Sequence, residues 1–310
     1  MMERLEKMPV PVLPTFVGAL TLSNVFNGMG FAWVRHLTMW SATIILLLYL
    51  VKIIKYPKVC MNEYKNTVPC SLYAALDMMM MILGSYYFSY IPALGKAIWA
   101  VAIVIHACHI LIFTYRNVIK ERNVNTFVPS WFVTYNGIMV SCVVGSAMNA
   151  NGILKYIVYY GIIIYFIIIP IMIWRLIKVE VKPAVYHTMA VVLAPCSLCV
   201  VSYLNVIENP NAMLVYIMYA CVLASLAFII IKLPKFFAFQ FTPGFAGLTF
   251  PMAIGIVASQ KMAAFLTGAG KEALAEMVKQ LSGIQIYITT MIVGYVLINL
   301  VIMALRIERK

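Results

Sequence analysis

Acidic side chains are scarce in this chain: there are ten in 310 residues, and charged residues of both signs make up only 11% of the total. An average soluble chain carries roughly 25%, so the solvated surface of such a domain cannot be assembled here. The signatures of hydrolytic and nucleotide chemistry are missing as well. There is no G-x-S-x-G, no Walker A loop, no H-E-x-x-H and no carboxylate pair. Without those arrangements of nucleophile, base or phosphate cradle, no enzyme is expected. Histidine occurs four times. None stands beside the Cys196-x-x-Cys199 pair, so that pair reads as two small packing residues, and no metal or cofactor is expected. Most of the seven cysteines fall inside apolar runs, which excludes an extracellular disulfide framework. Those runs do not alternate with polar residues, which excludes a β-barrel.

What the chain has in abundance is apolar length. Hydrophobic residues make up 64% of it, and a segment of about 20 such residues spans a bilayer. Ten spans are predicted, near 10–33, 37–54, 68–91, 96–115, 127–148, 154–174, 183–204, 211–231, 240–260 and 283–304. All are expected to be helices, because lipid offers backbone groups no partner outside the segment. The intervening loops are too short for a soluble domain, so 1–310 reads as a single transmembrane domain. The longest outer loop, 261–282, is expected to carry a short surface helix. No cleavable signal peptide is expected, since the first apolar run is longer than the core of such a peptide.

Five prolines punctuate these spans. Pro14, Pro69, Pro129, Pro183 and Pro243 are separated by 55, 60, 54 and 60 residues. Each stands at or near the start of an apolar stretch that a second, plainer stretch follows, which reads as a helical hairpin repeated five times. The odd members carry Gly, Ser, Thr and Asn, as in LPTFVGALTLSN (13–24) and FTPGFAGLTFP (241–251). The even members, such as ATIILLLYL (42–50) and IIIYFIII (162–169), are close to pure hydrocarbon, with Pro170 as their one internal proline. Leu and Ile suit lipid, whereas small and polar side chains suit helix interfaces and wet cavities. The predicted fold is therefore an all-α integral membrane protein with ten transmembrane helices. Five proline-bent inner helices line a central pore and five outer helices surround them.

Pro14, Pro69, Pro129, Pro195, Pro243 and Pro251 are the candidate helix kinks, because proline removes a helical hydrogen bond and crowds the preceding turn. The plainer alternative is that a proline near a helix start merely fits the first turn. Counting along one helical face from the repeated prolines gives the candidate pore-lining residues Gly18, Thr21, Tyr73, Val133, Asn136, His187, Ala190, Gly247 and Ile254. That face is mostly small or apolar and holds no cation. Phe250 precedes Pro251, and a residue before proline is pushed out of the α region. Its ring is the candidate pore gate.

The net charge of +13 raises the possibility of a nucleic-acid partner, but its distribution points to a membrane. Only Arg35, Lys96, Lys155, Lys261, Lys271 and Lys279 fall in one set of alternate loops; the other 17 of the 23 cations, from Arg4 to Arg306, Arg309 and Lys310, fall in the opposite set. The positive-inside rule then predicts both termini in the cytoplasm and an even number of spans. Nucleic acid is not expected as a partner; the lipid bilayer is.

Asp77 is the only acid deep in a span, and an intramembrane carboxylate is a functional suspect by default. It reads as a structural hydrogen-bonding group or as a possible proton relay. No charged partner is apparent in sequence, which favours the first. His106 and His109 fall on a predicted outer helix and read as packing positions. His187 reads as a satisfied or water-facing side chain.

Taken in order, an early P-T-F-x-G, P-S-W-F near the fifth span, L-A-P in the seventh and T-F-P-M in the ninth resemble the tellurite-resistance/dicarboxylate transporter family, which is TehA-like and related to the slow anion channels of plant guard cells. The likeness covers essentially the whole chain. It implies a homotrimer in the cell inner (plasma) membrane, one pore per protomer, and a phenylalanine of the ninth helix, here Phe250, closing the pore. Cys196 stands after Pro195 where the family pattern has a second proline. The expected function is a permeation pathway for small anions. The alternative is a proton-coupled carrier of C4-dicarboxylates or oxyanions such as malate, sulfite or tellurite.

Overall fold

The computed structural model describes residues 2–306, a span of helices and turns with no strand among the described residues. After a short α1 (Met2–Glu6) come α2 (Val12–Gly28), α3 (Ala32–Lys55), a short α4 (Pro57–Lys65), α5 (Thr67–Phe88) and α6 (Pro92–Thr114), which runs into a π-helical turn over Tyr115–Glu121. Two short pieces follow, α7 (Trp131–Gly137) and α8 (Val140–Val144), and then α9 (Asn151–Lys178). A 3-10 segment, Pro183–Val192, leads into α10 (Leu193–Val206), and α11 (Ala212–Phe237) comes next. A second 3-10 segment, Pro243–Leu248, leads into α12 (Thr249–Gly268), and α13 (Glu272–Arg306) is the last element. Arg309 and Lys310, two of the predicted inside cations, lie outside the described residues.

Eight of these helical stretches are long and apolar enough to cross a membrane. The two expected spans that do not qualify have simple reasons. The first, α2, is 17 residues long. The fifth is broken between α7 and α8 at Ile138 and Met139.

Burial separates the qualifying stretches into two groups. In the most apolar 18 residues of Thr67–Phe88, Pro183–Val206 and Pro243–Gly268, 72%, 89% and 67% are buried, against only 28–39% in the stretches containing α3, α6, α9, α11 and α13. The short α2 belongs with the first group, with 12 of its 17 residues buried. The poorly buried helices expose Leu37, Ile44, Leu111, Ile177, Ile231 and Met291, hydrocarbon side chains suited to lipid. The small and polar residues that distinguish the odd stretches are what allow their helices to approach each other.

Two connections are built alike. After α2, Phe31 N–H bonds to Phe26 C=O and Gly30 N–H to Asn27 C=O; after α12, Lys271 N–H bonds to Leu266 C=O and Gly270 N–H to Thr267 C=O. Gly30 and Gly270 have φ of 94° and 71°, a left-handed conformation that glycine adopts without steric cost. The sharp reversal after Gly268 corrects the expected loop. Most of residues 261–282 continues two long helices and forms no separate surface helix. The outer helices also hold a second internal proline, Pro234 in α11, beside Pro170 in α9.

The prolines mark starts more than bends. Pro14 and Pro69 are the third residues of α2 and α5, Pro129 precedes α7, and Pro183 and Pro243 open the 3-10 segments. In a first turn the missing N–H is one that would have no helical partner anyway. Pro195 and Pro251 differ. They lie in the first turns of α10 and α12, where 3-10 pitch gives way to α pitch, so the donor they lack falls where the ladder already changes register.

Candidate functional site

At the end of the bundle where α2 turns into α3, a cavity of about 310 Å³ opens among the well-buried helices. Thr21, Asn24 and Val25 reach it from α2, Ile82 and Ser85 from α5, and Val140, Val143 and Val144 from α8. Phe250, Ile254, Val257 and Gln260 reach it from α12. Among the described residues, Arg35, from the first turn of α3, is the one cation that lines it, and no carboxylate does. The Arg35 Nε–H donates to Asn24 Oδ1 at 2.9 Å, and its guanidinium carbon lies 5.1 Å from the centre of the Tyr86 ring. Both partners are neutral, so the positive charge is positioned without being cancelled.

Phe250 is set into this cavity by its neighbours. A Cβ added at Gly18 would lie 2.7 Å from the Phe250 nitrogen and from the Thr249 carbonyl carbon, so only glycine lets α2 come this close to α12. Thr249 Oγ1 donates to Pro14 C=O at 3.2 Å and to Ala246 C=O at 2.8 Å, which ties the start of α12 to the start of α2. Phe250 is 6% exposed: its side chain is nearly enclosed and its remaining surface is what meets the cavity.

The cavity thus gathers Thr21, Phe250 and Ile254, with Gly18 behind them. The other candidates from the face count do not line it. Tyr73 donates its hydroxyl to Glu63 Oε2 at 2.5 Å, toward the opposite end. Asn136 donates to Gly161 C=O of α9 at 2.9 Å, and Val133 is partly buried on α7. His187 Nε2–H donates to Phe236 C=O at 3.0 Å, with its ring centre 3.9 Å from that of Phe245. Ala190 is fully buried, and Gly247 sits so near His187 that an added Cβ would lie 2.6 Å from its carbonyl oxygen.

Arg35, Asn24, Ser85 and Gln260 were missed by sequence reasoning, because the face count started from prolines and Arg35 belongs to an outer helix. The counted face holds no cation, and Arg35 reaches the cavity from outside that face. The Gly30 turn brings the start of α3 back beside the end of α2.

A second polar cluster lies between α5, α6 and α7. Asp77 is 3% exposed, and its Oδ2 lies 3.8 Å from His106 Nδ1. His106 Nε2 is 2.8 Å from Thr134 C=O, His109 Nε2 is 3.3 Å from Thr134 Oγ1, and the Tyr64 hydroxyl is 2.9 Å from His109 Nδ1. Asp77 therefore has a partner that sequence did not reveal, and His106 and His109 are buried within this cluster. Burial pushes the Tyr64 phenol above its ordinary range, so its hydroxyl stays protonated and can donate to His109 or accept from it. Cys196 and Cys199 are buried free thiols, and no metal-binding group of three or more His, Cys, Asp or Glu occurs among the described residues.

Residues 10–307 match the model of a family described as voltage-dependent anion channel, SLAC1. No curated protein gives a significant match.

Proposed function

The chain belongs to the voltage-dependent anion channel family, and from that premise we propose that it is a passive permeation pathway for small anions, constricted at Phe250. In this reading the ten spans form five hairpins. The helices α2, α5, α7–α8, α10 and α12 surround the route, with Lys52 and Arg116 at the cytoplasmic end and Arg35 at the outer end. By the family resemblance the assembly is a homotrimer in the plasma membrane. The observation that carries the reading is the cavity itself, with one cation, no carboxylate and Phe250 in its wall. A cavity lined by charge of one sign raises the local concentration of anions and disfavours cations, and neutral hydroxyls and amides hold an anion weakly enough to release it. The phenyl ring blocks passage by bulk and by dewetting.

The test is chloride efflux from proteoliposomes at equal pH on both sides. Phe250→Ala is expected to raise the efflux at least tenfold over the parent protein without admitting cations. A folded variant with unchanged efflux rejects the gate. A second reading, a proton-coupled carrier of a C4-dicarboxylate or oxyanion, is favoured by one observation, the Asp77–His106 contact. It requires flux that depends on an imposed proton gradient.

A further inference from the structure

The two histidines of α6 are bonded differently. His109 is complete as a neutral ring in either tautomer: its Nδ1 meets the Tyr64 hydroxyl and its Nε2 the Thr134 hydroxyl, and a hydroxyl can donate or accept. His106 is not complete. Its Nε2 faces a carbonyl, which only accepts, so that nitrogen carries a hydrogen. Its Nδ1 has no hydrogen-bond partner, is fully buried, and faces Asp77 Oδ2 at 3.8 Å. With no further proton, a lone pair and a carboxylate confront each other in a dry interior. One added proton, on either atom, turns that confrontation into a neutral hydrogen bond or an ion pair. The ring is housed by a gap in α7: a Cβ at Gly137 would lie 2.8 Å from His106 Cε1.

We propose that Asp77 and His106 form a proton-binding site in the wall between α5 and α6, and that its occupancy sets anion conductance. The second half of this rests on the permeation reading above. His109 on α6 is the titratable neighbour of His106; beyond it, on the adjoining elements, stand Tyr64 on α4, Arg116 in the π turn, Cys70 and Tyr73 on α5 and Tyr135 on α7, with Glu63 bonded to Tyr73. His109 and Tyr64 satisfy each other, and Arg116 donates to the Tyr64 carbonyl.

The direction of the effect follows from charge. The loaded pair is neutral and the empty pair carries −1. Asp77 stands five and eight positions before Ile82 and Ser85, the α5 residues in the cavity wall, or about 8–12 Å along the helix. At about 10 Å and an effective dielectric constant near 20, one unit charge changes anion occupancy roughly tenfold. Losing the proton as pH rises should therefore depress anion current.

Asp77 is the chain's sole aspartate, so aspartate labelled with 13C at its side-chain carboxyl gives one resonance to follow in lipid-reconstituted protein. That resonance is expected to report a carboxyl that titrates together with His106 Nδ1. Over the same pH window parent current should fall roughly tenfold, while Asp77→Asn current stays high and flat. His106→Gln should move the carboxyl titration, and it provides the second variant if Asp77→Asn does not fold. An Asp77 carboxyl whose resonance is unchanged by pH, or by His106→Gln, overturns the site. A titrating carboxyl with a pH-independent parent current overturns its control of conductance. If no variant conducts at all, the permeation reading fails while the resonance still decides the proton site.

Discussion

Arg35 and Lys52 stand near opposite ends of α3 and meet opposite fates. Arg35 is half-exposed, held by the neutral Asn24 and Tyr86, and faces a cavity. Lys52 is fully buried; its Nζ donates at 2.7 Å to both Glu63 Oε1 and the Met8 carbonyl, and Glu63 in turn accepts from Tyr73. One helix thus carries a cation held only by neutral partners and a cation neutralised by a carboxylate. A positive charge can act on a permeating ion only where the protein withholds a carboxylate from it. Ten acids in the whole chain leave few places where cancellation happens by chance.

Removing Glu63 should give the largest effect. Glu63→Gln leaves Lys52 buried with a carbonyl and a weaker acceptor, and uncompensated buried charge costs about 3–5 kcal/mol. Lys52→Met should cost less, because Glu63 is 25% exposed and keeps its bond from Tyr73. Thermal unfolding in detergent measures both, and the reverse order breaks the claim that Lys52 is the trapped partner.

Arg35→Gln should show the opposite profile. Stability should hold, and anion current should fall roughly tenfold, about 1.4 kcal/mol, the size of one unit charge acting through about 10 Å at an effective dielectric constant near 20. The loss should shrink at high salt, because exposed charges are screened. A destabilised variant with undiminished current erases the distinction between the two cations.

Asn24→Ala should do least. It removes one hydrogen bond to a charged group, a matter of about 1.5–3 kcal/mol for the contact at most, but the guanidinium keeps the Tyr86 face. A two- to threefold drop in current with unchanged selectivity is expected in bilayer recordings.

The helical architecture was legible because lipid forces it. The odd stretches, such as 13–24 and 241–251, announced burial through Gly, Thr and Asn, and Phe250 announced itself through Pro251. What could not be read was contact between hairpins. Gly18 has no visible role until α12 is placed against it, and Asp77 looked isolated because His106 comes 29 residues later on another helix. By sequence alone Arg35 is a loop cation, because the Gly30 turn that folds it back over Asn24 is a three-dimensional fact. The prolines misled in part: spacing shows that they repeat, while their place in the first turn, visible only in the fold, decides whether they bend a helix or begin one.

The central claim is anion passage through the Arg35 cavity and past Phe250. The most direct measurement is the reversal potential of Phe250→Ala channels in a planar bilayer under a chloride gradient at equal pH. Unitary currents are expected to reverse near the chloride equilibrium potential and to stay there when a pH gradient is added. Currents that reverse near the cation potential, or that move with the pH gradient, would contradict it.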